Sequence, residues 1–137
     1  MNLTHFNKLC KSLPGTTMVI QWGESHVHKV GGKLFALANH WDAEIAFVMK
    51  ANPLAYQILV EQGLATRAPY LARGNWLQIA NPTKLSNADL TTYIKQSYQL
   101  IVAKLPRSTK AEIGIDYTNR PAFTDETRWS PALSKRV

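Results

Sequence analysis

The tightest local constraint in this 137-residue chain is the glycine pair Gly31-Gly32, set between two strand-like stretches, residues 26–30 and 33–39. Two adjacent residues that tolerate positive φ are what a two-residue hairpin turn requires. The pair therefore predicts a tight antiparallel hairpin. Ahead of it, residues 16–22 are rich in β-branched and aromatic side chains, and a break runs from Trp22-Gly23 through Glu24 and Ser25, which predicts a preceding strand. Behind it, a polar turn at residues 39–42 leads into residues 44–50, where Ile45, Phe47 and Met49 alternate with Ala46, Val48 and Lys50. That period of two is a strand with two distinct faces. The outcome is an antiparallel meander.

Three helices surround it. Leu3, Phe6, Leu9, Cys10 and Leu13 recur at steps of three and four before Pro14-Gly15, predicting a helix over residues 2–13. Asn52-Pro53 supplies a cap and a first-turn proline, Leu54, Ile58 and Leu59 an apolar face, and Gly63 a stop, predicting a helix over residues 53–62. Residues 68–71 read as extended, Arg73-Gly74-Asn75 as a turn, and residues 75–80 as a further strand. Ser86 with Asp89 three positions on forms a capping box in which Asp stands for Glu. From there Leu90, Tyr93, Ile94, Tyr98, Ile101, Val102 and Leu105 give a third helix a broad buried face up to Pro106. Only residues 113–117 of the remaining segment resemble a strand. The expected organisation is a folded domain over residues 1–106 and a C-terminal extension over residues 107–137, docked on the core or partly disordered.

Composition narrows the classes. With 45% apolar and 18% charged residues the chain can bury a core. No apolar run approaches the roughly 20 residues of a membrane span, and the first ten residues carry Asn, His and Lys in place of a leader's apolar stretch. The expected location is cytoplasmic. One cysteine, Cys10, excludes an intramolecular disulfide and a multi-cysteine zinc site; on an apolar helix stripe it reads as a small core residue. Gly31-Gly32-Lys33 is not a phosphate loop, because strands rather than a helix N-terminus flank it. Gly23-Glu24-Ser25-His26-Val27 lacks the second glycine of a nucleophile elbow. His26 and His28 share a strand face and His40 lies nearby, but no Cys or carboxylate stands at a ligand spacing beside them. Asp42 and Glu44 flank a polar turn, where solvated carboxylates are ordinary. No catalytic residue, metal site or cofactor is expected.

The basic residues form a more informative pattern. The net charge is +7, and ten basic against five acidic residues precede Pro106. Lys29 and Lys33 straddle the glycine turn, Arg67 and Arg73 bracket Tyr70, Trp76 follows the second turn, and Lys50 closes a strand. Two loops carrying cations beside aromatics are suited to tracking phosphates. Polar hairpin tips and a core Trp76 account for the same residues without a ligand.

Pro14-Gly15-Thr16, Trp22-Gly23, Lys29-Val30-Gly31-Gly32-Lys33-Leu34-Phe35-Ala36, Lys50, Pro53, Pro69-Tyr70-Leu71, Trp76, Ser97-Tyr98 and Lys104-Leu105-Pro106 occur in this order. Together they resemble the MmcQ/YjbR family of small bacterial proteins over about residues 1–106. The resemblance implies a two-layer α+β fold, an antiparallel sheet packed by about three helices in the order α-β-β-β(-β)-α-β-α, like that of type III secretion chaperones. Members of this family are described as predicted DNA-binding proteins with a double-wing motif. On this chain the wings are the Gly31-Gly32 hairpin and the segment around Arg73-Gly74-Asn75, the two loops that the charge pattern selects. The family brings no catalytic residues. The expected function is non-enzymatic binding of double-stranded DNA through Lys29, Lys33, Lys50, Arg67 and Arg73. The alternative is a protein-interaction or chaperone-like adaptor, with a homodimer or a protein partner and no membrane. The extension after Pro106 and the pair His26 and His28 depart from the family pattern.

Overall fold

The computed structural model describes residues 1–21, 24–41, 44–68, 71, 74–81 and 84–113. Ten elements follow in chain order: α1 (Leu3–Ser12), β1 (Thr16–Gln21), β2 (Ser25–Val30), β3 (Lys33–Trp41), β4 (Glu44–Lys50), α2 (Pro53–Glu61), β5 (Thr66–Arg67), β6 (Trp76–Asn81), α3 (Asn87–Ala103) and α4 (Arg107–Glu112). One six-stranded sheet runs β1-β2-β3-β4-β6-β5, every neighbouring pair antiparallel. This is the α+β architecture that the meander and the three helical stripes predict. Trp22, the last residue of the expected first strand, lies outside the described residues, as do residues 114–117 of the expected C-terminal strand, whose first residue, Ile113, caps α4 instead.

The glycine turn forms as its sequence requires. Gly31 and Gly32 have φ of 58° and 79°, the pair of positive values of the turn whose twist matches a β-hairpin. One residue is extra in this hairpin: Lys29 pairs with Leu34, while His28 pairs with Ala36. Phe35 is thus the unpaired residue of a β-bulge, whose freed backbone groups need other partners. Ser97 of α3 supplies one. Its hydroxyl donates to the Phe35 carbonyl (2.6 Å) and accepts from the Lys50 amide (2.9 Å), tying α3 to both β3 and β4.

Helices α1 and α3 pack on the same side of the sheet. Phe6 of α1 stacks on Phe47 of β4 at 4.9 Å between ring centroids, and Tyr98 of α3 meets Phe35 edge-on at 5.4 Å. The Tyr98 hydroxyl donates to the Pro14 carbonyl, which fixes the link between α1 and β1. Phe6, Cys10, Phe35, Phe47, Leu77, Ile79, Leu90 and Ile94 are fully buried at this core. The caps sit where the residue types place them: the Asn52 side chain accepts from the Ala55 amide (2.7 Å), and Ser86 accepts from the Asp89 amide (3.0 Å).

Three features differ from the expectation. The polar turn at 39–42 is shorter, because β3 runs on to Trp41 and pairs Asn39 with Ala46, His40 with Ile45 and Trp41 with Glu44. Ladder bonds along a hairpin outweigh the modest turn preference of Asn and His. A two-residue strand, β5, precedes the segment expected to be extended. Immediately after Pro106, α4 forms a helix for which the sequence offered only a proline at the cap position.

Candidate functional site

Antiparallel order decides which loops share an end of the sheet. The Gly31-Gly32 turn, Lys50 at the end of β4, Trp76 at the start of β6 and Arg67 at the end of β5 all lie at one end, since Lys50 pairs with Trp76 and Arg67 with Leu77. Only β4 separates β3 from β6. At ~4.8 Å per strand spacing, the hairpin and the start of β6 stand about 10 Å apart.

Helical residues come to the same end. A Cβ on Gly31 would stand 2.8 Å from the Leu105 side chain and 3.0 Å from that of Thr109, and one on Gly15 would stand 2.9 Å from Ile113. The hairpin tip therefore rests on the corner between α3 and α4, which carries Lys104 and the exposed Arg107. Lys33 is exposed at the tip and Lys29 is half-buried on β2. Lys110, on α4, is buried.

Lys50 is the most constrained of the expected cations. Its ammonium lies 5.9 Å from the centre of the Trp76 ring, within cation–π range. A Cβ on Gly74 would come 3.2 Å from its Nζ. Lys104 lies within hydrogen-bonding reach. Burial first, and the Lys104 charge second, lower the Lys50 pKa below the ordinary lysine value. Two cations held together in this way favour a site where an anion neutralises both. Arg67 is exposed on β5. Arg73, the remaining expected residue, lies outside the described residues.

The carboxylates are distributed differently. Glu24 lies in the β1–β2 connection and Glu44 opens β4, both at the opposite end of the strands. Asp89 sits in the first turn of α3, about 12 Å before Ser97 at 1.5 Å per residue and so away from the basic end. Glu112, at the end of α4, does come to the basic end.

Histidine chemistry resolves into packing. The Asn7 amide nitrogen donates to His26 Nδ1 (3.0 Å), and His28 Nε2 donates to Asn7 Oδ1 (2.8 Å). His28 is fully buried with Phe6 edge-on at 5.3 Å. Burial lowers its pKa to about 4, with smaller contributions from Lys11 and His26. Cys10 is fully buried, and that burial pushes its thiol far up, away from the nucleophilic thiolate. Among the described residues, no group of three His, Cys, Asp or Glu side chains is placed to hold a metal ion. None of the helices there is long and apolar enough to cross a membrane.

Sequence reasoning missed Lys104 and Arg107 as members of the basic end. Both follow the third helix, and only the docking of α4 under the hairpin reveals where that helix delivers them. Asn7 was missed as well, because a polar residue on a helix stripe gives no sign of the two histidines it joins.

Comparison with known proteins fits this fold. A family model described as YjbR matches residues 11–100. The crystal structure of Deinococcus radiodurans protein DR2400, with the family-model domain DUF419, superposes with a TM-score of 0.75 at 18% sequence identity, covering 84% of this chain and 89% of that one. No curated protein matches the chain. The hairpin, the bulge secured by Ser97 and most of the closing third helix fall within the stretch matched by the family model, and the chain belongs to the YjbR family.

Proposed function

We propose that this YjbR-family chain is a non-enzymatic, cytoplasmic bacterial protein that binds double-stranded DNA through the basic end of its sheet. Lys29, Lys33, Lys50, Arg67 and Arg73 meet phosphates there, joined by Lys104 and Arg107, and no cofactor takes part. The observation that carries this reading is the clustering of Lys29, Lys33, Lys50, Arg67, Lys104 and Arg107 at the hairpin end, where Glu112 is the opposing acid among the described residues, while Glu24 and Glu44 lie at the other end with Lys84. Such a field attracts a polyanion and orients it. The spacing of about 10 Å between the hairpin and the start of β6 approaches the ~12 Å width of a DNA major groove, which suits contacts to phosphates on both rims. Among the described residues no helix is presented at the basic end for reading base edges, and the contacts proposed are to the backbone.

Charge variants test this reading. Lys33→Ala with Arg73→Ala weakens binding by a similar factor on unrelated duplexes and lowers the salt slope by about 2, near 0.9 for each phosphate no longer neutralised. Lys84→Ala, just beyond the end of β6 at the opposite end of the sheet, leaves both unchanged. Equal effects from the double variant and this control, or none from the double variant, remove the sheet end as the binding surface.

A further inference from the structure

The two edges of the sheet are built differently. β5 forms one edge with only two residues, one of them Arg67, a short and charged edge of the kind that discourages strand addition. β1 forms the other edge with six residues, Thr-Thr-Met-Val-Ile-Gln, without charge or proline. It leaves Val19 at 38% and Ile20 at 59% exposure, one on each face, because Val19 pairs with Val27 and Ile20 with His26. A long, uncharged, β-branched edge with apolar side chains on both faces is a template for another strand.

We propose that β1 pairs antiparallel with β1 of a second copy of this chain, forming a two-fold dimer with one continuous sheet. A two-fold axis normal to the sheet keeps each side chain on its own face, so residues placed opposite each other must be an even number of positions apart. Centring the axis on Val19 meets this condition. It sets Val19 against Val19 of the second copy, Met18 against Ile20, and Thr17 against Gln21. Every exposed apolar side chain of the edge then finds an apolar partner, as a self-complementary interface requires.

Charge favours the same arrangement. Antiparallel pairing brings the Glu24 end of one copy beside the other copy's end, where Lys11 closes α1 and Lys29 stands opposite Thr17. A parallel pairing would instead set the two basic ends side by side. A second copy therefore suits this edge better than an arbitrary extended peptide. An interface resting on one six-residue strand is small, so the dimer is a weak one with a dissociation constant in the micromolar range.

Analytical ultracentrifugation of the full chain, from low to high micromolar concentration, tests the proposal. Wild-type protein dimerises as concentration rises, and Val19→Lys with Ile20→Lys raises the dissociation constant at least tenfold while the thermal melt shows a folded chain. Independently, Val19→Cys forms an intermolecular disulfide on mild oxidation, since Cys10 is buried and residues opposite each other across an antiparallel pair lie within disulfide range. A wild-type chain that stays monomeric throughout, as when another segment occupies the edge, overturns the proposal. So does a dimer that the lysine pair leaves intact, or a Val19→Cys chain that gives no cross-link.

Discussion

At the residue scale, the two turn glycines are not equivalent. Both hold positive φ, which costs a side chain roughly 1 kcal/mol or more. A Cβ on Gly32 meets nothing within 4 Å, whereas one on Gly31 stands 2.8 Å from Leu105. Gly31→Ala therefore adds the cost of overpacking, typically about 1–3 kcal/mol, and urea denaturation should show it clearly less stable than Gly32→Ala. His28 gives a second prediction. Its folded pKa of about 4 lies below the ordinary 6.5, so the unfolded chain binds a proton first as the pH falls. Stability is unaffected by His28 above pH 6.5, declines between 6.5 and about 4, and stops declining from this source below that. Chemical denaturation at several pH values should show this slope in the wild type and a flatter one in His28→Phe. An unchanged slope would assign the acid sensitivity to other groups.

At the element scale, Ser97 matters more than its size suggests. It satisfies both the bulge carbonyl of Phe35 and the amide of Lys50, so Ser97→Ala leaves two buried backbone groups without that partner, at a cost of about 2–4 kcal/mol. A denaturation midpoint close to the wild type's would contradict the bridging role. The elements themselves were largely legible in the sequence. Gly31-Gly32, Asn52-Pro53 and Ser86 with Asp89 each carry the local chemistry of the turn or cap they form, and the apolar periods of the helices and strands agree with them. What escaped depends on contacts distant in the chain. α4 is held by packing against Gly31 and Gly15 rather than by a strong helical stripe. The bulge is a pairing irregularity that no residue type announces. The extra length of β3 comes from ladder bonds to β4. Of the candidate site, the individual cations could be named from sequence. That Lys50 is held against Trp76 and joined by Lys104 required the pairing of β4 with β6 and the course of α3.

At the scale of the whole molecule, the sheet works as a frame that sorts charge. Because neighbouring strands of the sheet are antiparallel, the hairpin, the end of β4 and the β6–β5 side meet at one end, where, on the proposed function, the cations they carry act together on a polyanion. The most direct test of this claim is fluorescence anisotropy of the full chain with labelled duplex DNA over a series of salt concentrations. Binding at low salt is expected to fall linearly in log–log form as salt rises, with a slope of about −4.5 to −6.3 for five to seven phosphate contacts. Absence of binding at low salt, or affinity indifferent to salt, would show that the basic end does not serve as a nucleic-acid surface.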